Sequence, residues 1–105
     1  MTASKETIEQ VAASIGKAAR ARKVILFGSR ARGSARSDSD VDFLVVAESN
    51  LPRHKRSRQL YALFHPYPFP MDIVVYTPSE VERDLRDPTS FVTGVFAEGR
   101  EVYAG

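Results

Sequence analysis

Hydrophobic residues recur along the chain with two different periods. Between residues 4 and 22 they fall at three- and four-residue intervals, which predicts one amphipathic helix with an inner stripe of Ile8, Val11, Ala12, Ile15 and Ala19. Three later apolar runs are short and continuous, and they predict buried strands at KVILFG (23–28), DVDFLVVA (40–47) and MDIVVY (71–76). The run REVYA (100–104) predicts a fourth strand.

The segments between the strands predict turns and short helices. SRARGSARSDS (29–39) has no apolar residue larger than alanine, which predicts a turn or a single helical turn. LPRHKRSRQLYALF (51–64) predicts a helix with Leu60, Leu63 and Phe64 on its inner face. Its basic residues predict a solvated face, with contact to an acidic partner or RNA as the alternative; they are Arg53, His54, Lys55, Arg56 and Arg58.

A capping box follows the third strand. In TPSE (77–80), Thr77 is the expected N-cap, Pro78 the first helical residue and Glu80 the reciprocal partner, so a helix should run to about Leu85. Asp87–Pro88 predicts the start of one more helix. The order of elements predicts an α/β (α+β) protein, in which a small mixed β-sheet is flanked by helices.

Composition narrows the class of protein. The 105 residues are 43% hydrophobic and 27% charged, which predicts a single globular domain over residues 1–105. The absence of cysteine excludes disulfides and thiolate chemistry. With no apolar run long enough for a membrane and no signal-peptide pattern, a cytoplasmic protein is expected. The net charge of +2 is too small to indicate nucleic-acid binding by itself.

Three aspartates are expected to converge at one edge of the sheet. Asp40 and Asp42 lie two residues apart at the start of the second strand, so their side chains should share a face. The short connection after Gly28 and Ser29 favours an antiparallel pair of strands. The helical connection to the third strand favours a parallel pair, which brings Asp72 to the same edge.

Such a cluster predicts a metal and phosphate site. Three neighbouring carboxylates need a countercharge, and an all-oxygen ligand set suits Mg²⁺ or Mn²⁺, with two ions expected. The Gly28–Ser29 turn can bring backbone N–H groups and a hydroxyl close to phosphate oxygens. Arg30, Arg32 and Arg36 add positive charge suited to a polyphosphate, with Arg32 as the candidate for direct contact. Asp38 is expected to be a turn residue and not a ligand.

These residues carry a resemblance to a known family. Gly28-Ser29, then Asp40-Val41-Asp42, then Asp72 after a helix resembles the minimal nucleotidyltransferases of the DNA polymerase beta superfamily. GSRARG…SDSDVDFLVV is especially similar to the small MNT proteins, the antitoxins of HEPN/MNT toxin–antitoxin pairs. Relatives often carry an acidic residue and a proline where this chain has Ser34 and Ser37.

The resemblance implies a polymerase-beta-like fold and two Mg²⁺ ions. It implies transfer of AMP from ATP, or of another nucleotide, to a hydroxyl of a HEPN-domain toxin, with a tyrosine as the expected acceptor. Asp40 and Asp42 match the metal-binding pair of the family. Asp72 matches the third carboxylate, which orients or deprotonates the acceptor hydroxyl, and Gly28 and Ser29 match the turn that holds the triphosphate.

Two other functions remain open at this point. The chain could be a non-catalytic module that neutralises a toxin by covering it, as in relatives that have lost a carboxylate. It could also transfer a nucleotide to RNA or to a small molecule. The absence of any accessory domain that would bind such an acceptor weakens this third possibility.

Overall fold

A computed structural model describes residues 3–33 and 40–105, and these residues form one mixed α/β arrangement. The elements, in chain order, are α1 (Lys5–Ala19), β1 (Lys23–Phe27), α2 (Ser29–Arg32), β2 (Val41–Val46), a 3₁₀ turn (Arg53–Lys55), α3 (Arg58–Tyr61), β3 (Met71–Tyr76), α4 (Pro78–Leu85), α5 (Phe91–Glu98) and β4 (Arg100–Ala104). None of the helices in these two ranges has the length and apolar character needed to cross a membrane.

The four strands form one mixed sheet in the order β3-β2-β1-β4. β1 pairs antiparallel with β2 on one side and with β4 on the other. β2 pairs in parallel with β3, because α3 and the preceding turn return the chain to the same edge before β3 begins. The predicted sheet with flanking helices is therefore confirmed, as are both predicted strand pairings and the fourth strand.

Each face of the sheet is covered by its own helices. α1 packs on one face, and its apolar stripe joins Val24, Leu26, Phe43, Val45 and Ile73 in the larger core. α4 and α5 cover the other face, where Val81, Val92 and Val95 meet Ile25, Leu44 and Val46. Since successive strand residues point to opposite faces, the even-numbered residues of β2 face α4 and α5. Asp42 opens that series.

Two helix predictions need correction. The segment 51–64 is not one helix but a 3₁₀ turn and the four-residue α3, and Leu63 is 47% exposed instead of lying on an inner face. The last helix does not start at Asp87–Pro88. Ser90 is its N-cap and accepts from the Thr93 N–H, whereas Asp87 accepts from the Thr89 N–H at 2.9 Å and closes the preceding turn.

The irregular path of residues 51–64 has a physical cause in Arg56. Its side chain is 9% exposed and forms a two-pronged ion pair with Glu80, with N–O distances of 2.6 and 3.2 Å. It also donates to the backbone carbonyls of Leu51 at 2.8 Å and Val75 at 3.2 Å. The predicted solvated face is therefore wrong at Arg56, whose guanidinium fixes the chain to the end of β3 and the start of α4.

Glu80 performs two tasks at once. It accepts from the Thr77 N–H at 2.9 Å and so completes the predicted capping box of α4. The hydrogen bond from Arg56 is the main cause that lowers the pKa of Glu80 to about 2 from its usual 4.5, with smaller contributions from Thr77 and Arg53. The ionised form of Glu80 is thus strongly favoured in the folded chain.

Glu80→Gln should lower the free energy of unfolding by about 1–2 kcal/mol at pH 7, because a glutamine can still complete the capping box but loses the charge-assisted bonds to Arg56. The native pKa is depressed, so the stabilisation is complete above the unfolded-state value of 4.5 and is lost as pH falls towards about 2. The deficit of the variant should therefore shrink across that window. Urea unfolding at several pH values measures it.

Glu82→Gln is the matched control, since Glu82 pairs with Arg86 at 3.5 Å but is 75% exposed. It should change stability by less than about 0.5 kcal/mol. Equal losses in the two variants, or a Glu80→Gln deficit that does not depend on pH, would contradict the role given to the Arg56–Glu80 pair.

Candidate functional site

Strand register places two of the predicted carboxylates side by side. Phe27 of β1 is paired with Asp42 of β2, and Asp42 is paired with Asp72 of β3. These residues therefore form one row across three adjacent strands. Asp42 is partly buried, whereas Asp72 on the edge strand is exposed. Asp40 is also exposed and lies just before β2 begins at Val41.

The electrostatics of this row are those of crowded like charges. Partial burial raises the pKa of Asp42 above its usual value, and the carboxylates of Asp72 and Asp40 raise it further. A hydrogen bond between the side chains of Asp42 and Asp72 acts in the same direction, and Arg32 opposes it. Strand register thus pairs Asp42 with Asp72, and Asp40 is near enough for its charge to act on Asp42.

The three carboxylates do not form a finished ligand set. Across residues 3–33 and 40–105, no group of three or more His, Cys, Asp or Glu side chains is arranged to hold a metal ion. The chemistry of the set nevertheless fits one. Asp42 is partly buried, and its two carboxylate neighbours disfavour its ionised form. A divalent cation that prefers oxygen ligands would neutralise this repulsion.

The turn after β1 depends on a glycine at position 28. Gly28 has a φ of 78°, a conformation that side-chain-bearing residues rarely adopt. A Cβ at this position would also collide with the Oδ2 atom of Asp42. The Gly28 carbonyl accepts from the backbone N–H groups of Ala31 and Arg32, which closes the single helical turn α2 that begins at Ser29. Gly28 and Ser29 thus lie directly beside the carboxylate row.

The arginines of the turn have different surroundings. Arg32 pairs with Glu98 of α5 at 3.4 Å, and both side chains are more than half exposed. Its positive charge also lowers the pKa of Asp42, so Arg32 interacts both with a carboxylate of the row and with α5. Arg30 donates to the carbonyl of Ala3 at 3.3 Å, next to the start of α1. The predictions for Ser34, Arg36, Ser37 and Asp38 concern residues outside the described ranges.

The sequence did not reveal two aromatic side chains near the row. Phe91 is 50% exposed and packs edge-to-face on Phe27 with ring centroids 5.4 Å apart. Tyr61 accepts through its hydroxyl from the N–H of Ile73 at 2.8 Å, immediately after Asp72. Phe91 opens its helix, a position that the apolar pattern alone does not distinguish from the core. The Tyr61 contact has no sequence signal.

Three solved structures share this fold. A protein named as a nucleotidyltransferase from Sulfolobus solfataricus superposes with a TM-score of 0.65 at 19% identity, over 92% of this chain and 77% of that one. A toxin–antitoxin structure with AMP-PNP gives 0.57 at 21% identity, over 92% and 73% of the two chains. A mutant of the toxin–antitoxin pair MntA–HpeT gives 0.55 at 19% identity with the same coverage. At these identities the likeness shows the fold alone.

A family relationship comes from the sequence itself. No curated protein matches the chain. The model of the nucleotidyltransferase domain family, however, matches residues 6–68, which is more than half of the chain. The match contains Gly28, Ser29, Asp40 and Asp42 and ends shortly before Asp72, the residue that parallel pairing of β3 brings to Asp42. The chain belongs to the nucleotidyltransferase domain family.

Proposed function

We propose that this protein transfers AMP from ATP to a hydroxyl of a partner protein, and that the partner is a toxin which the transfer silences. The observation that carries the proposal is the strand register that pairs Asp42 with Asp72, next to the Gly28 turn, in a chain of the nucleotidyltransferase domain family. Two structures with the same fold are toxin–antitoxin assemblies, one of them with an ATP analogue. The resemblance to MNT antitoxins makes a HEPN-domain protein with an acceptor tyrosine the candidate partner.

The divalent cations belong to the same proposal. Asp40, Asp42 and Asp72 are the residues that would hold Mg²⁺, with Mn²⁺ as the substitute. When bound, the metal neutralises these carboxylates and polarises the phosphate that is to be transferred. The raised pKa of Asp42 supports this assignment, because its causes are burial and two neighbouring carboxylates, and the opposing effect of Arg32 is smaller.

The remaining roles follow from the places of the residues around the row. Gly28 and Ser29 hold the outer phosphates, and Arg32 contributes positive charge where the pyrophosphate departs. Asp72 is exposed on an edge strand, so an acceptor on another protein can reach it. The acceptor oxygen bonds to the α-phosphorus while the bond from that phosphorus to the bridging oxygen breaks and pyrophosphate leaves. Asp72 accepts the proton of the acceptor hydroxyl.

Asp40→Asn and Asp42→Asn should each lower the rate of transfer at least about a hundredfold, since each removes a carboxylate that would hold the metal, whose positive charge would stabilise the transition state by several kcal/mol. The measurement is incorporation of labelled AMP into the partner in the presence of Mg²⁺. Asp42→Asn should leave the fold at least as stable at neutral pH, because the raised pKa of Asp42 means that its ionised form opposes folding.

Glu48→Gln is the control for these substitutions, because Glu48 is exposed and follows the opposite end of β2. It should keep full activity. Equal labelling by the wild type and by a variant carrying both Asp40→Asn and Asp42→Asn would refute the enzymatic proposal. If the aspartate variants lose transfer but still protect cells from the toxin, then neutralisation works through complex formation, and only the link between transfer and silencing is wrong.

Gly28→Ala should reduce transfer far more than Gly33→Ala. Both glycines have positive φ values, 78° and 75°, so both substitutions strain the backbone by about 1 kcal/mol or more. A Cβ at Gly28 must displace the Asp42 carboxylate, whereas one at Gly33 meets no heavy atom of the described residues within 4 Å. Comparable losses of transfer, measured at matched fractions of folded protein, would show that backbone strain accounts for the effect and that Asp42 does not need its present position.

A further inference from the structure

A mostly apolar cleft opens between β1 and α5, beside the phosphate turn. Its volume is about 370 Å³, which lies within the size range of small-ligand pockets. Its apolar wall is formed by Phe27, Phe91 and Val95. Gly28 and Arg32 also line it, so the cleft and the turn share residues.

Phe91 supplies a fixed aromatic surface to this cleft. One part of the ring is held by Phe27, edge-to-face at 5.4 Å, and by Tyr76, near-parallel at 6.1 Å with 28° between the planes. Half of its surface is nevertheless exposed. A ring that is fixed by neighbours and open on one side is a suitable platform for another planar group.

Gly94 leaves room beside this platform. It lies one turn of α5 after Phe91, and a Cβ built on it would meet no heavy atom within 4 Å among the described residues. A glycine in the interior of a helix costs about 1 kcal/mol relative to alanine. Neither a turn nor close backbone packing requires it here, and what it provides is space in the cleft.

The position of the cleft relative to Asp72 indicates which reactant it binds. The cleft lies on the β1 side of Asp42, whereas Asp72 lies on β3, two strand spacings or roughly 10 Å from β1. The acceptor must reach Asp72. The cleft instead continues from Gly28 and Arg32, the residues assigned to the phosphates, and a ligand that joins a polyphosphate to a flat, weakly polar group is a nucleoside triphosphate.

We infer that the cleft binds the base of the nucleotide, with the base stacked on Phe91 in the space left by Gly94. This inference rests on the proposed nucleotidyl transfer and adds to it the location of the base. Arg32 and Glu98, paired at 3.4 Å, are the polar residues at this cleft, and the phosphates compete with Glu98 for Arg32.

The test compares binding of two probes by titration calorimetry with Mg²⁺ present. ATP carries a base, whereas inorganic tripolyphosphate has the same phosphates without one. Gly94→Leu fills the cleft and should weaken ATP binding about tenfold or more, a loss equal to about one stacked base, while tripolyphosphate binding changes less than about twofold. Ala97→Leu adds the same side chain to an exposed position of α5 outside the cleft and should change neither affinity.

Phe91→Leu gives a second, independent measure, since it keeps an apolar side chain but removes the aromatic face. It should weaken ATP binding severalfold and leave tripolyphosphate binding unchanged. ATP binding by Gly94→Leu and Phe91→Leu that equals that of the wild type would overturn the assignment of the cleft, although the phosphate site would stand. Failure of the wild type to bind either probe would instead overturn the proposed nucleotide site itself.

Discussion

The parallel pairing of β2 with β3 is the constraint on which the site depends. It places Asp42 directly opposite Asp72 on the neighbouring strand. The backbone pairing alone therefore brings these two short side chains together. Parallel strands need a crossover, and the irregular segment from Arg53 to Tyr61 supplies it. Arg56 holds this crossover to Glu80 and to the backbone at the end of β3, which ties the register of β3 to an ion pair on the α4 side of the sheet.

The ionised carboxylates of the row make the folded state less stable. Burial and like charges raise the pKa of Asp42, so the folded chain tolerates its ionised form at a cost. Gly28 adds a second constraint, because its positive φ and its close approach to Asp42 would strain any residue with a side chain at this position. The two buried cores on either face of the sheet offset these costs. Sites that oppose stability in this way are common where a ligand completes the charge balance.

The sequence predicted the parts of the fold that local patterns determine. The strand runs, the antiparallel pairing of β1 with β2 and the capping box at Thr77 each follow from neighbouring residues, and all three appear in the structure. The helix expected over 51–64 failed because Arg56 bonds to residues distant in the chain, which periodicity cannot register. Phe91 and Tyr61 were missed for a related reason. The apolar pattern shows which residues are apolar or aromatic. It does not show which group hydrogen-bonds to the Tyr61 hydroxyl, or which side of the Phe91 ring stays exposed.

The sheet order gives Asp42 different surroundings on its two sides. The Gly28 turn and the cleft lined by Phe91 lie on its β1 side. The exposed edge strand with Asp72 lies on its β3 side. An edge strand leaves its outer backbone groups unpaired unless something covers them. The Tyr61 hydroxyl accepts a hydrogen bond from the N–H of Ile73, the residue after Asp72. The edge strand is therefore anchored next to Asp72, whose side chain remains exposed. The acceptor of the proposed reaction could therefore approach from the β3 edge without crossing the cleft that we infer to bind the nucleotide.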